Sequence, residues 1–94
     1  MADYTKSVLD MVATERSRQL ALWGDQSDNH AFEWISILGE EYGELCEAVN
    51  ETFFLNGVHK ERGGADAIIK EATHVAAVAV ALAESAMRYL EGGA

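Results

Sequence analysis

Glu71 and His74 stand where a water-soluble helix ordinarily keeps apolar side chains. With residues placed at ~100° per position, Ile68, Val75, Val78, Leu82 and Tyr89 form an apolar stripe on a helix predicted over about 65–91. Asp66, Lys70, Thr73, Glu84 and Arg88 form the opposite, wet stripe. Glu71 falls in the middle of the apolar stripe, and His74 beside it, one turn along. Desolvating a bare carboxylate is costly, so one in this position must be neutralised or paired. The preceding helix, predicted over about 30–56, carries the apolar stripe Trp34, Ile35, Leu38, Tyr42, Leu45, Val49 and Phe53. Glu41 borders that stripe with Glu44 next to it, while Glu40, Glu47 and Glu51 point outward as a solvated face. Two carboxylates at i, i+3 repel each other unless something positive sits between them. A divalent cation meets that need, and Glu41, Glu44, Glu71 and His74 then converge from two adjacent helices as a metal site. The competing reading of the last two is a buried, hydrogen-bonded Glu71–His74 pair.

The first helix, about 3–22, has its own polar intrusion. Val8, Val12 and Trp23 share a face with Glu15 and Gln19, and Arg16 borders it. Polar groups on an inward face can line a pocket; equally, Glu15 and Arg16 can make interface salt bridges. Gln19 could offer its amide to a base edge and Trp23 a stacking surface.

The elements that must hold these groups follow from sparse punctuation. The chain has 94 residues and no proline, with many Ala, Glu and Leu, which favours long uninterrupted helices. Polar, glycine-containing breaks at 23–29 and 56–64 separate three segments, and Gly92-Gly93 ends the third. Asp28 or Asn29 is placed to cap the second helix. Gly57 and Gly92 are placed to terminate helices in a left-handed conformation. With no strand-like alternation, repeat or linker, the expectation is one all-α domain over 1–94. The third segment is nearly apolar all round and must be buried on more than one side. With 49% hydrophobic residues in so short a chain, this points to a homo-oligomer, a dimer completing a helical bundle or a tetramer.

Sixteen Asp and Glu against seven Lys and Arg give a formal charge of −9. That excludes nucleic acid and anionic membrane as main partners and fits a cation-binding protein. The longest apolar run, the nine residues Val75–Ala83, is too short to span a bilayer. No secretory pattern opens the chain. A single cysteine, Cys46, makes no intramolecular disulfide and suits a reducing cytoplasm. Cys46 and the methionines read as core or interface residues, and His30 and His59, in or beside turns, as solvated.

The pattern Trp34-x3-Leu38-Gly39-Glu40-Glu41-Tyr42-Gly43-Glu44-Leu45-x2-Ala48, followed by Glu71-x2-His74-Val75, resembles the MazG-like all-α nucleoside triphosphate pyrophosphohydrolases. Glu15-Arg16-x2-Gln19-x3-Trp23-Gly24 looks like the members of that group borne by phages and mobile elements. The resemblance runs from about residue 15 to about 85. The family pattern is E-x-x-E on one helix and E-x-x-D on the next, so this chain has His74 where Asp is usual. Imidazole is a softer ligand and suits Mn²⁺, Fe²⁺ or Zn²⁺ better than Mg²⁺, although three glutamates with water can still hold Mg²⁺. His74 could instead orient a ligand or act as a base.

The resemblance implies hydrolysis of a nucleoside or deoxynucleoside triphosphate to the monophosphate and pyrophosphate, as house-cleaning or nucleotide-pool control. Mg²⁺ or Mn²⁺ on Glu41, Glu44, Glu71 and His74 would bridge phosphate oxygens and activate water. Gln19 and Trp23 would meet the base. Lys60 and Arg62, in the loop between the ligand helices, would meet the outgoing phosphates unless they are ordinary exposed charges. Two other readings stay open. One is a non-catalytic helical oligomer that binds nucleotide or protein. The other is a di-iron carboxylate bundle, in which two copies supply two Glu71-x-x-His74 pairs and two further glutamates.

Overall fold

The computed structural model describes residues 3–24, 30–54 and 63–93. Three α-helices account for nearly all of them: α1, Tyr4–Trp23; α2, Ala31–Phe53; and α3, Ala65–Arg88, which runs on into a wider π-wound turn, Tyr89–Gly93. There is no strand among the described residues. No helix among them is long and apolar enough to cross a membrane. The fold is all-α, as the periodicity predicts.

The helix ends have local causes. Asp3 caps α1, its carboxylate accepting from the Lys6 N–H at 3.2 Å. Gly24, at φ 72°, ends α1 by donating its N–H to the Leu20 carbonyl at 2.9 Å. The cap of α2 is His30, one residue beyond the expected Asp28 or Asn29, which lie outside the described residues. Its Nδ1 accepts from the Phe32 N–H at 3.2 Å, and its ring stacks on Phe32 with centroids 4.9 Å apart. An imidazole nitrogen here does the work of the short side-chain oxygen usual at this position. α2 stops at Phe53, short of the expected residue 56, because Phe54 turns extended (φ −106°, ψ 121°). Gly57 lies outside the described residues. Gly92 does take the left-handed conformation, at φ 82°.

α3 lies between the other two helices and packs on both. Its start is pinned to the end of α2. The Thr52 hydroxyl donates to the Ala48 carbonyl and accepts from the Gly64 N–H, each at 2.6 Å. At Gly63 the backbones approach so closely that a Cβ would sit 2.8 Å from the carbonyl carbon of Glu51 and 2.9 Å from the Thr52 nitrogen. The core is built of Trp34, Val78 and Ala81, all fully buried, with Ile37, Leu38 and Leu82 packed against them. Ala77 and Ala81 are fully buried too, small side chains on the helix that carries both contacts.

Two expectations about faces are corrected. Thr73 is buried, not part of a wet stripe. α3 is covered on two sides, and the Thr73 hydroxyl satisfies itself on its own helix, donating to the Ile69 carbonyl at 2.7 Å. The α2 stripe divides: Trp34 turns inward, while Ile35, Tyr42 and Phe53 are 51%, 60% and 70% exposed. One neighbouring helix covers only one edge of so wide a stripe. The three helices accordingly spread to extents of 50 × 34 × 22 Å, with a radius of gyration of 15.2 Å. A compact chain of this length would have about 12 Å.

Candidate metal centre

His74 sits among three carboxylates from all three helices. Its Nδ1 lies 3.6 Å from Glu41 Oε2 of α2 and 3.6 Å from Glu71 Oε2, one turn back on α3. Its Nε2 lies 3.6 Å from Glu15 Oε2 of α1. These separations are too long for hydrogen bonds. Glu71 and His74 are therefore neighbours without the hydrogen bond that the paired reading requires.

One ligand atom each from Glu41, Glu71 and His74 can be chosen so that all lie within 4.8 Å of one another. Ligands of one small cation, at about 2.1 Å each, stand at most about 4.2 Å apart, so only a small closing movement separates this set from a coordination shell. Glu41 Oε2 and Glu71 Oε2 are both buried and accept no hydrogen bond. Buried acceptors are rarely left so. Burial pushes the Glu41 carboxyl above its ordinary range, and the nearby Glu44 and Glu71 charges push it further, against an opposing pull from His74. Burial likewise raises Glu71, with His74 opposing and Glu44 adding to the rise. Two oxygens and one imidazole nitrogen, poor in donors and rich in negative charge, fit a divalent cation.

Glu15 differs. Its carboxylate is clasped by Arg18, with Nε donating to Oε1 and Nη2 to Oε2, both at 2.7 Å. Gln19 Nε2 donates to the same Oε2 at 3.2 Å. The Arg18 hydrogen bonds outweigh burial and hold the Glu15 carboxyl below its ordinary range, with His74 helping. Glu15 thus stays ionised in a buried position.

The remaining sequence-predicted site residues divide. Glu44 is exposed and stands close enough to influence both Glu41 and Glu71, but it is not one of the three clustered ligands. Gln19 is 1% exposed, with its amide donated to Glu15 and its Oε1 buried without a partner. Trp23 is half-exposed at the last residue of α1. Lys60 and Arg62 lie outside the described residues. The two readings of Glu15 and Arg16 separate between the two residues. Glu15 joins the cluster, while Arg16 reaches Glu84 Oε1 at 3.0 Å and lies 5.7 Å over the Trp34 ring.

Sequence reasoning left Glu15 and Arg18 out of the site. The inward position of Glu15 was the available signal, and Arg18 follows from it at i+3. Beside the cluster, an open groove of about 440 Å³ runs between α1 and α3, with Met11, Thr14, Ile69 and Lys70 among its lining and Glu15 and His74 at the cluster. The chain matches no family model, no curated protein and no solved structure.

Proposed function

We propose that the chain is a metal-dependent nucleoside triphosphate pyrophosphohydrolase of the MazG-like kind. It would convert a (deoxy)nucleoside triphosphate and water to the monophosphate and pyrophosphate. The observation that carries this reading is the pair of buried, donor-less oxygens of Glu41 and Glu71 beside the imidazole of His74. Glu41, Glu71 and His74 would hold Mg²⁺ or Mn²⁺, the imidazole favouring Mn²⁺. A cation bound there supplies charge to phosphate oxygens and makes a coordinated water more acidic.

The chain's own groups do the rest. Glu44, exposed next to Glu41 and Glu71, is free of the ligand set and takes a proton from the attacking water on a carboxylate oxygen. The water oxygen bonds to the α-phosphorus as the bond from that phosphorus to the α–β bridging oxygen breaks, and pyrophosphate leaves. Glu15, fixed by Arg18 and Gln19, faces the far edge of the His74 ring at 3.6 Å. The groove between α1 and α3 receives the nucleoside, Met11 and Ile69 giving it apolar contact. The exposed apolar face of α2, with Ile35, Tyr42 and Phe53, is where a second copy of the chain would pack. A formal charge of −9 makes the cation necessary for admitting an anionic substrate.

The test is pyrophosphate release over the eight common ribo- and deoxyribonucleoside triphosphates, with Mg²⁺ and with Mn²⁺. Release with one or a few substrates is expected. Glu41→Gln and Glu71→Gln should each lose at least ~100-fold, since even groups behind a metal's ligands are worth up to that much. Undiminished release in both variants would remove the site assignment.

A further inference from the structure

We infer that Arg18 is the phosphate-binding arm of this site, gripping the outer phosphates of the substrate and then the pyrophosphate product. The inference rests on the pyrophosphohydrolase reading and adds a residue that the metal-binding pattern does not contain. Arg18 projects from the C-terminal half of α1, and its side chain is 49% exposed although it is tied to a buried partner. The Glu15 carboxylate takes Nε and one N–H of Nη2, at 2.7 Å each. A guanidinium carries five N–H donors in a rigid plane. The two on Nη1 and the outward one on Nη2 lie outside that clasp, on the side away from Glu15. They form a second donor edge with the spacing that suits two phosphate oxygens.

Position matters as much as donor count. The oxygen that Arg18 Nη2 grips, Glu15 Oε2, is the one that stands 3.6 Å from His74 Nε2. One carboxylate therefore separates the guanidinium from the imidazole of the metal cluster, and the Arg18 charge is close enough to interact with Glu41. Of the four other cations on the described helices, Arg88 closes α3, and the remaining three are placed differently from Arg18. Lys6 pairs with Asp10 at 3.1 Å, and Arg16 is spent on Glu84 and Trp34. Lys70 lines the groove and is near enough to influence Glu71, but it is a flexible point charge with no fork. Of Lys6, Arg16, Arg18 and Lys70, Arg18 alone is both oriented in advance and open on its outer edge. A rigid arm loses little freedom when the ligand arrives.

The experiment is calorimetric titration of inorganic pyrophosphate, at saturating Mg²⁺, into the full chain and its Arg18→Ala, Arg18→Lys and Lys70→Ala variants. Mn²⁺ affinity is measured in parallel by electron paramagnetic resonance. Arg18→Ala should weaken pyrophosphate binding at least ~10-fold while its Mn²⁺ affinity stays within about threefold of the parent. Arg18→Lys should restore only part of the loss, because an ammonium cannot fork, and Lys70→Ala should change it less than Arg18→Ala. Unchanged pyrophosphate affinity in Arg18→Ala overturns the inference even where the parent chain turns over triphosphates, so the broader reading then survives alone. Equal losses of Mn²⁺ and pyrophosphate affinity also overturn it, because Arg18 would then act only by holding Glu15. A parent chain that neither binds pyrophosphate nor hydrolyses any triphosphate removes both.

Discussion

Glu15 and His74, fifty-nine positions apart, meet at 3.6 Å across the α1–α3 seam, Oε2 to Nε2. The opposite nitrogen of the same ring faces Glu41 and Glu71. The imidazole thus has one edge toward a carboxylate already satisfied by Arg18 and the other toward two that are not. Under the proposed function that asymmetry would give Nδ1 to the cation and leave Nε2 facing Glu15; a shortening of the 3.6 Å gap on metal binding would produce the arrangement in which a carboxylate behind a histidine fixes the ligand ring.

Replacing His74 by Asp, the residue of the resembled family pattern, should shift metal preference rather than abolish binding. Carboxylate oxygen suits Mg²⁺ and imidazole suits the softer divalent ions. The ratio of Mg²⁺- to Mn²⁺-supported pyrophosphate release should rise in His74→Asp. A ratio that does not move would mean that the ring is not a ligand.

The metal-free protein should lose stability as pH rises from about the ordinary carboxylate value of 4.5 toward neutrality. The pKa values of Glu41 and Glu71 are raised from that value. A raised group contributes stability that is complete below the unfolded pKa and disappears as pH passes the folded one. Glu15 is lowered, so its contribution is present above 4.5 and disappears as pH falls through its depressed folded value. Melting temperatures of chelator-treated protein should therefore fall across the window above 4.5. A divalent cation should reverse that fall, and Glu41→Gln with Glu71→Gln should flatten it.

Gly63→Ala should destabilise the fold by about 1–3 kcal/mol. The new Cβ would meet the Glu51 and Thr52 backbone at 2.8–2.9 Å, where no side chain can move aside. For a chain this small, each kcal/mol lowers the melting temperature by about 4–8 °C. The same change would push the start of α3 off the Thr52 hydroxyl, so weaker Mn²⁺ binding should accompany the lower melting temperature.

A charge in the exposed α2 face should decide whether a second copy packs there. Ile35→Glu and Tyr42→Glu each place a carboxylate on half-exposed apolar surface, which a separate chain tolerates and a buried interface does not. Sedimentation should show a larger species for the parent chain and a single-chain mass for the variants. Identical masses would remove this face as the contact.

Most of the fold was legible because helical periodicity is a one-dimensional signal. Glu71 and His74 could be placed inward from their spacing to Ile68, Val75 and Val78 alone. Thr73 was misplaced because a wheel has one wet side, whereas α3 has a neighbour on each of two sides. Ile35 and Tyr42 read as core because apolar character says that a face wants cover, not that this chain supplies it. Glu15 could be seen facing inward, but what it meets there depends on how α1 crosses α3, which no spacing within one helix contains. Arg18 was invisible for a similar reason: its importance comes from the residue it grips.

The seam that joins α1 to the rest is largely polar. Val12 is the only buried apolar side chain among the described residues of α1; the other two buried residues there are Glu15 and Gln19, and Arg16 pairs with Glu84. Apolar burial is the dominant force holding helices together, and α1 has little of it. The hierarchy of local opening therefore starts with α1, whose amides should exchange with solvent while Trp34, Val78 and Ala81 keep α2 and α3 together. The helix that carries Glu15 and Arg18 is the one that detaches at least expense, and anything that bridges it to the cluster also fastens it in place.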